Sequence, residues 1–324
     1  MARARVRAAI LDEFGKPFRT GVFEYEYPDD WVEVRVKSVG VCGRDVVVWR
    51  GGFRNLRPPL VLGHEVFGEV DGEPVGVFPA IAFTDKCKEA LESGEGVCDP
   101  GEFAILGENL PGGYADRVYV PEWNLVPLPD GEYEKYAAAV CGIATIMHTV
   151  SAAGIRPGDR VLVTGASGGV GVHAIQYLSL LGAKVYAYTR SEAKASQLRG
   201  LGVEPVTSLD FYKREGRVDV VVELVGAPTV NDSMRALKPR GRMALVGNVT
   251  GEPITITRPA LLVMRELIVT GNAAFNKREY EAAIRLVGSG AVKPFYRRYR
   301  LDDVNLAYEA VLRREIIGRA VLVP

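Results

Sequence analysis

Three short segments of the 324-residue chain carry side chains that can ligate a metal ion. They are residues 40–45, 63–65 and 138–142, and their candidate ligands are Cys42, His64 and Cys141. Thiolates and imidazoles bind zinc well, and three protein ligands with one open position define a catalytic zinc site. Any one segment alone is more often structural, because a free cysteine in an apolar context usually belongs to the core. The three together are candidates for a catalytic metal site.

A glycine-rich stretch is the second chemical feature. Residues 164–171 read Thr-Gly-Ala-Ser-Gly-Gly-Val-Gly, between a predicted apolar strand and a predicted helix. Glycines let the backbone approach a pyrophosphate, and the helix offers free N–H groups and the positive end of its dipole. Alanine replaces the first glycine of the usual fingerprint, and a loop without a ligand is the alternative. The predicted contacts are Gly165, Ala166, Ser167, Gly168, Gly169 and Val170.

The end of the next predicted strand indicates which form of the dinucleotide binds. NAD enzymes usually place an acid there, about 20 residues beyond the turn, to bind the ribose 2′-hydroxyl. This chain has Thr189, Arg190 and Ser191 instead, and a guanidinium with two hydroxyls suits a 2′-phosphate. The sequence therefore predicts NADP(H), unless Arg190 merely caps the strand in solvent. The predicted cofactor set is completed by Thr145, Lys194, Val225, Gly247 and Asn248.

Two domains must position these residues. Short strands and turn signals fill residues 1–130 and predict a β-rich domain, which residues 270–324 rejoin through a closing strand at 321–323. Residues 131–269 alternate helices and strands, which predicts an α/β domain with a doubly wound parallel sheet. Its predicted helices are 133–153, 171–181, 191–201 and 230–237, and its predicted strands are 160–163, 184–188, 218–224 and 243–246.

The composition narrows the class of protein. The chain is 48% hydrophobic and 25% charged, as ordinary globular proteins are. Lys+Arg and Asp+Glu both number 40, so nothing favours a nucleic-acid or acidic-membrane partner. No signal peptide and no membrane-crossing span is expected, which predicts a cytoplasmic protein. Glutamine occurs only at Gln176 and Gln197, and arginine outnumbers lysine, which favours a thermophile.

In order and context, these motifs resemble the zinc-type medium-chain dehydrogenase/reductase family, which includes alcohol dehydrogenases and quinone or enoyl reductases. The resemblance runs from the first strand to residues 318–324. It implies a GroES-like catalytic domain, a Rossmann cofactor domain, and a homodimer or homotetramer. It also makes Cys42, His64 and Cys141 the zinc ligands, Asp45 the carboxylate that holds the His64 imidazole, and Glu65 a carboxylate that can visit the metal.

The chain departs from the alcohol dehydrogenase pattern at Arg44. Alcohol dehydrogenases carry Ser or Thr there, and often a histidine where this chain has Val47, so the usual proton relay is missing. Some archaeal members that resemble acryloyl-CoA reductases also place arginine there. Two residues after Cys42, the guanidinium is expected near the meeting point of substrate oxygen and metal, where its charge would weaken zinc binding.

A further departure lies in the region of the family's structural zinc. Cys87 and Cys98 match two of its four cysteines, whereas the other two positions fall on Thr84 and Ala90. Two thiolates do not close a tetrahedral site, so a four-cysteine zinc is not expected. Completion by Asp85 or Glu89, a short-loop disulfide and two free thiols all remain open. The remaining histidines, His148 and His173, are interpreted as structural.

These features predict an NADPH-dependent reductase of a small carbonyl compound or activated alkene, which also runs as a dehydrogenase where the substrate permits. Hydride would pass between nicotinamide and substrate at the cleft between domains, while zinc polarises the substrate oxygen. One alternative is a zinc-free enoyl-CoA or quinone reductase that uses Arg44 to stabilise developing negative charge. The other is an NADPH-binding protein without turnover.

Overall fold

The computed structural model describes residues 1–94, 98–99, 101–272 and 274–324. The chain divides into a first unit, residues 1–141 with 276–324, and a second unit, residues 142–275. The sequence placed these boundaries at residues 130 and 270. The first boundary instead falls inside the helix Tyr133–Ala153. The helix is unbroken; its residues up to Cys141 belong to the first unit, and those from Gly142 belong to the second.

The described part of the chain forms strands, α-helices and short 3-10 turns. The strands are β1 Ala2–Leu11, β2 Arg19–Tyr27, β3 Val32–Val41, β4 Leu60–Val61, β5 Glu65–Val70, β6 Glu73–Val77, β7 Ala80–Ala82, β8 Phe103–Ile105, β9 Arg117–Val120, β10 Leu125–Pro127, β11 Arg160–Val163, β12 Lys184–Tyr188, β13 Glu204–Val206, β14 Val218–Glu223, β15 Leu237–Leu245, β16 Ile268–Gly271, β17 Tyr296–Arg300 and β18 Arg319–Val323. The helices are α1 Gly43–Trp49, α2 Asp85–Ser93, α3 Tyr133–Ala153, α4 Gly171–Leu180, α5 Glu192–Leu198, α6 Tyr212–Glu215, α7 Val230–Arg235, α8 Pro259–Arg265, α9 Lys277–Gly288 and α10 Val304–Leu312.

The first unit is built on a seven-stranded sheet with the order β10-β6-β5-β3-β18-β17, in which β9 also pairs with β3. The sheets β2-β1-β4 and β7-β8 complete the unit. The closing strand β18 lies antiparallel to β3, with Ala320 opposite Val41, which confirms its predicted return to the first domain. Burial along β3 alternates at first and is continuous from Ser38 to Val41, so this strand enters the core just before Cys42.

The second unit has the predicted parallel, doubly wound sheet, with the order β13-β12-β11-β14-β15-β16. The bounds predicted for β11 and β12 are confirmed. The sequence missed β13 and β16, which are the two edge strands, because so few residues carry no clear alternation. Strand β15 begins at Leu237, before the predicted start at 243, since its pairing with β14 continues across a bulge. The order reverses between β11 and β14, which is where such sheets bind dinucleotides.

Helix α3 corrects one expectation. By length and composition it is long and apolar enough to cross a membrane, although the sequence predicted no such span. However, 67% of its most apolar 18-residue window is buried inside the protein. The helix is apolar nearly all round, as helices within a protein core are.

Cys87 and Cys98, 11 positions apart, form a disulfide, which decides between the alternatives left open by the sequence. Cys87 lies in α2, and the side chain of Thr84 accepts a hydrogen bond of 3.2 Å from the Cys87 backbone N–H. Thr84 stands where the family pattern has one of its four cysteines, but here it caps the helix. The cap and the disulfide therefore fix the start of α2 by covalent and hydrogen bonding.

We expect Cys98→Ser to lower the melting temperature, because closing a loop of this length stabilises the folded chain by about 3 kcal/mol in the chain-entropy model. Peptide mapping without reductant should recover one cross-linked peptide. Glu89→Ala is the matched control, since it removes a carboxylate that a metal site would need and leaves the disulfide intact. Free alkylation of both cysteines in the unreduced protein would contradict this prediction.

Candidate active site

Four buried side chains of the first unit point their ligand atoms at one another. The Sγ, imidazole and carboxylate atoms of Cys42, His64, Glu65 and Cys141 all lie within 4.8 Å of each other. Cys42 follows β3, His64 immediately precedes β5, Glu65 is the first residue of β5, and Cys141 lies in α3. The three sequence segments predicted to carry metal chemistry therefore meet at one place.

Asp45 holds the imidazole in this cluster. Its Oδ1 lies 3.0 Å from His64 Nδ1, and its Oδ2 accepts hydrogen bonds from the Cys42 backbone N–H at 2.8 Å and from the Tyr114 hydroxyl at 3.2 Å. This contact assigns a proton to His64 Nδ1. Nε2 then faces the cluster, 4.0 Å from Cys141 Sγ. A ligand imidazole that is fixed in this way presents its free nitrogen to a metal.

A second buried charge, Arg319 in β18, faces Glu65. Arg319 Nη2 lies 3.0 Å from Glu65 Oε1, and both side chains are almost fully buried. The angles of this ion pair do not make it a hydrogen bond, and within the described residues neither carboxylate oxygen of Glu65 accepts one. A Cβ at Gly40 would lie 1.9 Å from Glu65 Oε2, so only glycine fits there. The carboxylate is held in place with its oxygens still able to bind a cation.

Burial and close contacts shift the acidity of the cluster. Burial raises the pKa of Glu65 to about 8. A hydrogen bond from the Cys141 thiol lowers the pKa of Cys42, and the same contact, together with burial, raises the pKa of Cys141. Burial lowers the pKa of His64, but the Asp45 carboxylate outweighs it, so the pKa is raised overall. Cys42 is therefore the thiolate of the pair, and the thiolate is the form that ligates metals.

The donor set fits a zinc ion. It combines two sulfurs, one imidazole nitrogen and a carboxylate, which are the ligand types found in catalytic zinc sites. Glu65 supplies buried oxygens that accept no hydrogen bond among the described residues. The chemistry and closeness of the four groups agree with the ligand set implied by the family resemblance.

The glycine-rich turn lies in the second unit, between β11 and α4. Gly165 has φ +60°, and a Cβ at Gly171 would lie 2.3 Å from the Gly165 carbonyl oxygen. Ala166 N–H donates to the Tyr188 carbonyl at 3.0 Å, and His173 Nδ1 donates to the Gly169 carbonyl at 2.6 Å. The turn therefore needs its glycines for close approach of the backbone, and His173 supports it from within α4.

The predicted 2′-phosphate residues follow β12. Thr189 is buried, and its Oγ1 lies 3.4 Å from Ser167 Oγ in the glycine-rich turn. Ser191 caps α5 by accepting a hydrogen bond from the Lys194 backbone N–H. Burial lowers the pKa of the Lys194 ammonium. Arg190 is exposed, and its guanidinium has no ion pair or hydrogen bond among the described residues. The structure thus brings hydroxyls from both loops together and leaves one cation free beside them.

The other predicted cofactor residues lie around the same sheet edge. Val225 follows β14, and Gly247 and Asn248 follow β15. The Val225 carbonyl accepts a hydrogen bond from Val249 N–H at 3.2 Å, so the two loops are joined. Thr145 lies in α3, on which a Cβ at Gly142 would stand 3.2 Å from Val170 Cα. That part of α3 therefore packs against the glycine-rich turn.

Comparison with known proteins identifies the family. Residues 28–130 match the alcohol dehydrogenase GroES-like domain, and residues 169–289 match the zinc-binding dehydrogenase domain. The chain is 32% identical over 321 residues to an acryloyl-coenzyme A reductase of Sulfurisphaera tokodaii, across 92% of this chain and 95% of that protein. The chain belongs to the zinc-type medium-chain dehydrogenase/reductase family. It is an oxidoreductase with a GroES-like domain and a Rossmann-like domain, as the sequence predicted.

Two further members of the family are alcohol dehydrogenases. A structure of cobalt- and zinc-bound thermostable alcohol dehydrogenase from Pyrobaculum aerophilum matches with a TM-score of 0.87 at 28% identity, over 99% of this chain and 100% of that one. An NAD-dependent alcohol dehydrogenase of Saccharolobus solfataricus is 27% identical over 354 residues, across 98% of this chain and 100% of that protein. This dehydrogenase/reductase chain covers 95% of the acryloyl-coenzyme A reductase and 100% of each of the two alcohol dehydrogenases.

Arg44, whose charge the sequence predicted to weaken zinc binding, forms an ion pair with Glu108. Its Nε donates to Glu108 Oε1, and its Nη2 donates to Glu108 Oε2 at 2.9 Å. The guanidinium also lies over the Phe53 ring, 4.9 Å from the centroid. Burial lowers the pKa of Arg44, but the hydrogen bond and charge of Glu108 outweigh it and the pKa is raised. A buried carboxylate thus offsets the positive charge next to Cys42, a correction that follows from a contact 64 positions away in the chain.

We expect Glu108→Gln to raise the zinc dissociation constant about tenfold, because the Arg44 charge then faces the ligand cluster without compensation. Arg44→Ala combined with Glu108→Gln should return the constant to within about threefold of the wild-type value, because both charges are gone. Competition with a chromophoric chelator measures the constant for each variant. An unchanged constant in Glu108→Gln would show that this ion pair does not act on the metal site.

Proposed function

We propose that this chain is an NADP(H)-dependent oxidoreductase that transfers hydride to or from a small carbonyl compound, alcohol or activated alkene. The observation that carries the proposal is the buried cluster of Cys42, His64, Glu65 and Cys141, with all ligand atoms within 4.8 Å. A glycine-rich turn at the switch point of a parallel sheet supports dinucleotide binding. A metal-assisted hydride transfer needs both a metal site and a site for the dinucleotide.

In this proposal Cys42, His64 and Cys141 hold a zinc ion. When bound, zinc supplies Lewis acidity toward a substrate oxygen. Asp45 keeps the His64 ring in its ligating orientation through the 3.0 Å contact with Nδ1. Glu65 stays beside the ligands as a carboxylate whose position Arg319 determines. Burial of all four ligating groups excludes water from the protein side of the site.

Zinc-free reduction of an enoyl thioester, with Arg44 in place of the metal, is the second candidate, and the 32% identity to an acryloyl-coenzyme A reductase favours an enoyl substrate. The chain has Arg44 and Val47 where alcohol dehydrogenases place a hydroxyl and often a histidine, so the usual route for an alcohol proton is absent. Arg44 uses two of its nitrogens on Glu108, and its remaining N–H groups can donate to a developing enolate oxygen. A thioester of an unsaturated acid fits this arrangement.

We expect the purified protein to contain about one zinc per chain and to oxidise NADPH in the presence of a ketone, aldehyde, quinone or enoyl thioester. Cys42→Ser and His64→Ala should remove metal and turnover together, because each deletes a ligand. Cys98→Ser is the matched cysteine control and should keep both. Elemental analysis alongside a substrate screen provides the measurement. Full turnover in a metal-free preparation would refute the zinc assignment.

The free Arg190 at the end of β12 supports NADP(H) over NAD(H). No acid follows this strand where a ribose 2′-hydroxyl would be bound, since the residues there are Thr189, Arg190 and Ser191. The Lys194 ammonium adds a second cation one helical turn beyond Ser191. A 2′-phosphate placed there would meet two cations and two hydroxyls, whereas a bare ribose would leave the cations unused.

We expect NADPH to bind more tightly than NADH by about one to two decades, because a charge-assisted contact to phosphate is worth roughly 1.5–3 kcal/mol. Arg190→Ala should remove most of this difference. Arg199→Ala, an exposed arginine beyond α5, is the control and should leave the difference intact. Titration of protein fluorescence gives both constants, and equal constants in the wild type would refute the preference.

We also propose a cytoplasmic homodimer or homotetramer that acts on small molecules. At the edge of the parallel sheet, Ile268 is 55% exposed, and on the adjoining helix α8 the side chains of Val263 and Met264 are 74% and 81% exposed. Edge strands with exposed apolar side chains tend to pair with another chain. A second copy of this chain fits such an edge, and a monomer in sedimentation velocity would argue against it.

A further inference from the structure

Glu223, the last residue of β14, is a fully buried carboxylate to which the sequence assigned no role. A buried carboxylate is unfavourable unless it is paired or well hydrogen-bonded. This one has no cationic partner among the described residues and is stabilised by hydrogen bonds alone. Its donors are Thr164 Oγ1 at 2.7 Å, Val225 N at 3.0 Å, Gly226 N at 3.1 Å and Thr229 Oγ1 at 2.6 Å on Oε1, and Ser233 Oγ at 2.7 Å on Oε2.

These bonds join the carboxyl ends of three neighbouring strands. Thr164 follows β11 and directly precedes the glycine-rich turn, and its Oγ1 also accepts a hydrogen bond from Leu224 N–H at 2.9 Å. The main-chain carbonyl of Glu223 accepts hydrogen bonds from Val246 N–H at 3.0 Å and Gly247 N–H at 3.2 Å, at the end of β15. One residue therefore connects the ends of β11, β14 and β15, which is the edge where such sheets bind a dinucleotide.

The turn after β14 depends on the same carboxylate. Val225 and Gly226 have left the sheet, so their N–H groups need an acceptor, and Glu223 Oε1 provides it. Gly226 has φ +94°, and a Cβ there would lie 2.4 Å from Asn248 Oδ1. The turn is thus tightly packed against the loop after β15, and removal of the acceptor would leave the buried Gly226 donor and the partly buried Val225 donor without partners.

We propose that Glu223 is a positioning residue for the dinucleotide: it holds the glycine-rich turn and the turn at residues 225–226 at a fixed separation before the cofactor binds. The inference rests on the proposed function, because it assigns the crevice to a nicotinamide dinucleotide. Binding groups that are ordered in advance lose less conformational freedom when a ligand arrives. The carboxylate thereby tightens binding without touching the cofactor.

The test compares Glu223→Ala with Glu223→Gln. The amide oxygen of glutamine can replace Oε1, and its amide nitrogen can donate to Ser233 Oγ, whose hydroxyl also lies 3.2 Å from the Val230 carbonyl. We expect Glu223→Gln to keep the NADPH dissociation constant within about threefold of wild type, and Glu223→Ala to raise it at least tenfold. Adenosine 2′-monophosphate, which reaches only the Arg190 end of the crevice, should bind equally to all three proteins.

Two hydroxyl variants keep the proposal testable if Glu223→Ala does not fold. Thr164→Val breaks the link to the glycine-rich turn and should raise the NADPH constant about threefold to tenfold. Ser233→Ala removes the donor on Oε2, which faces α7, and should leave the constant unchanged. Equal effects of these two substitutions, or wild-type NADPH affinity in a folded Glu223→Ala, would overturn the proposal.

A measurement made without cofactor tests the role of Glu223 separately from the proposed function of the chain. Hydrogen exchange of the Val225 and Gly226 amides should be slow in the wild type and in Glu223→Gln, and fast in Glu223→Ala. If the wild type binds neither NADPH nor NADH, the proposed function fails whatever the exchange shows. If NADPH binds and the two amides exchange at the same rate in all variants, only the role of Glu223 is refuted.

Discussion

The first unit depends on the contacts that the buried guanidinium of Arg319 makes. It faces Glu65 at 3.0 Å, and it also donates to the carbonyls of Val41 at 3.3 Å and Ala138 at 3.4 Å. Val41 immediately precedes Cys42, and Ala138 lies one helical turn before Cys141. One cation therefore contacts the chain beside each of the three ligand segments.

This arrangement explains why the end of the chain must return to its beginning. Arg319 is the first residue of β18. Because β18 pairs with β3, the guanidinium lies close to the end of β3, directly before Cys42. Removing one partner from a buried ion pair typically costs about 3–5 kcal/mol, because the other charge stays buried without compensation. Without the closing strand, Glu65 would lose the cation that it faces in the folded protein. The discontinuous domain is thus a consequence of electrostatics as well as of strand pairing.

Residues with local signals could be predicted from the sequence, and those that act across the fold could not. Cys42, His64 and Cys141 each stand in a recognisable segment, and the family resemblance implied the role of Asp45, three residues after Cys42. Glu108 meets Arg44 only through the fold, and no nearby motif marks it. Arg319 stands just before the predicted closing strand at 321–323, and its buried partner Glu65 lies far away in the chain.

The same reasoning applies to the elements. Helix α3 and strands β11 and β12 were predicted correctly because long or strongly apolar segments fix their own type. The edge strands β13 and β16 were missed because only their neighbours in the sheet make them strands. For Cys87 and Cys98, the sequence could only name the alternatives, since a disulfide needs their Cα atoms close together, and the fold brings them to 4.9 Å.

Glu65 and Glu223 show how one residue type serves two purposes when it is buried. Glu223 accepts five hydrogen bonds, so its oxygens are occupied and it connects the ends of neighbouring strands. Glu65 faces a cation, yet its oxygens accept no hydrogen bond among the described residues, and burial raises its pKa to about 8. Both oxygens of Glu223 accept hydrogen bonds, and its role is therefore structural. Glu65 keeps the capacity to bind a metal or a proton, and this unused capacity, more than burial itself, distinguishes it from the structural carboxylate.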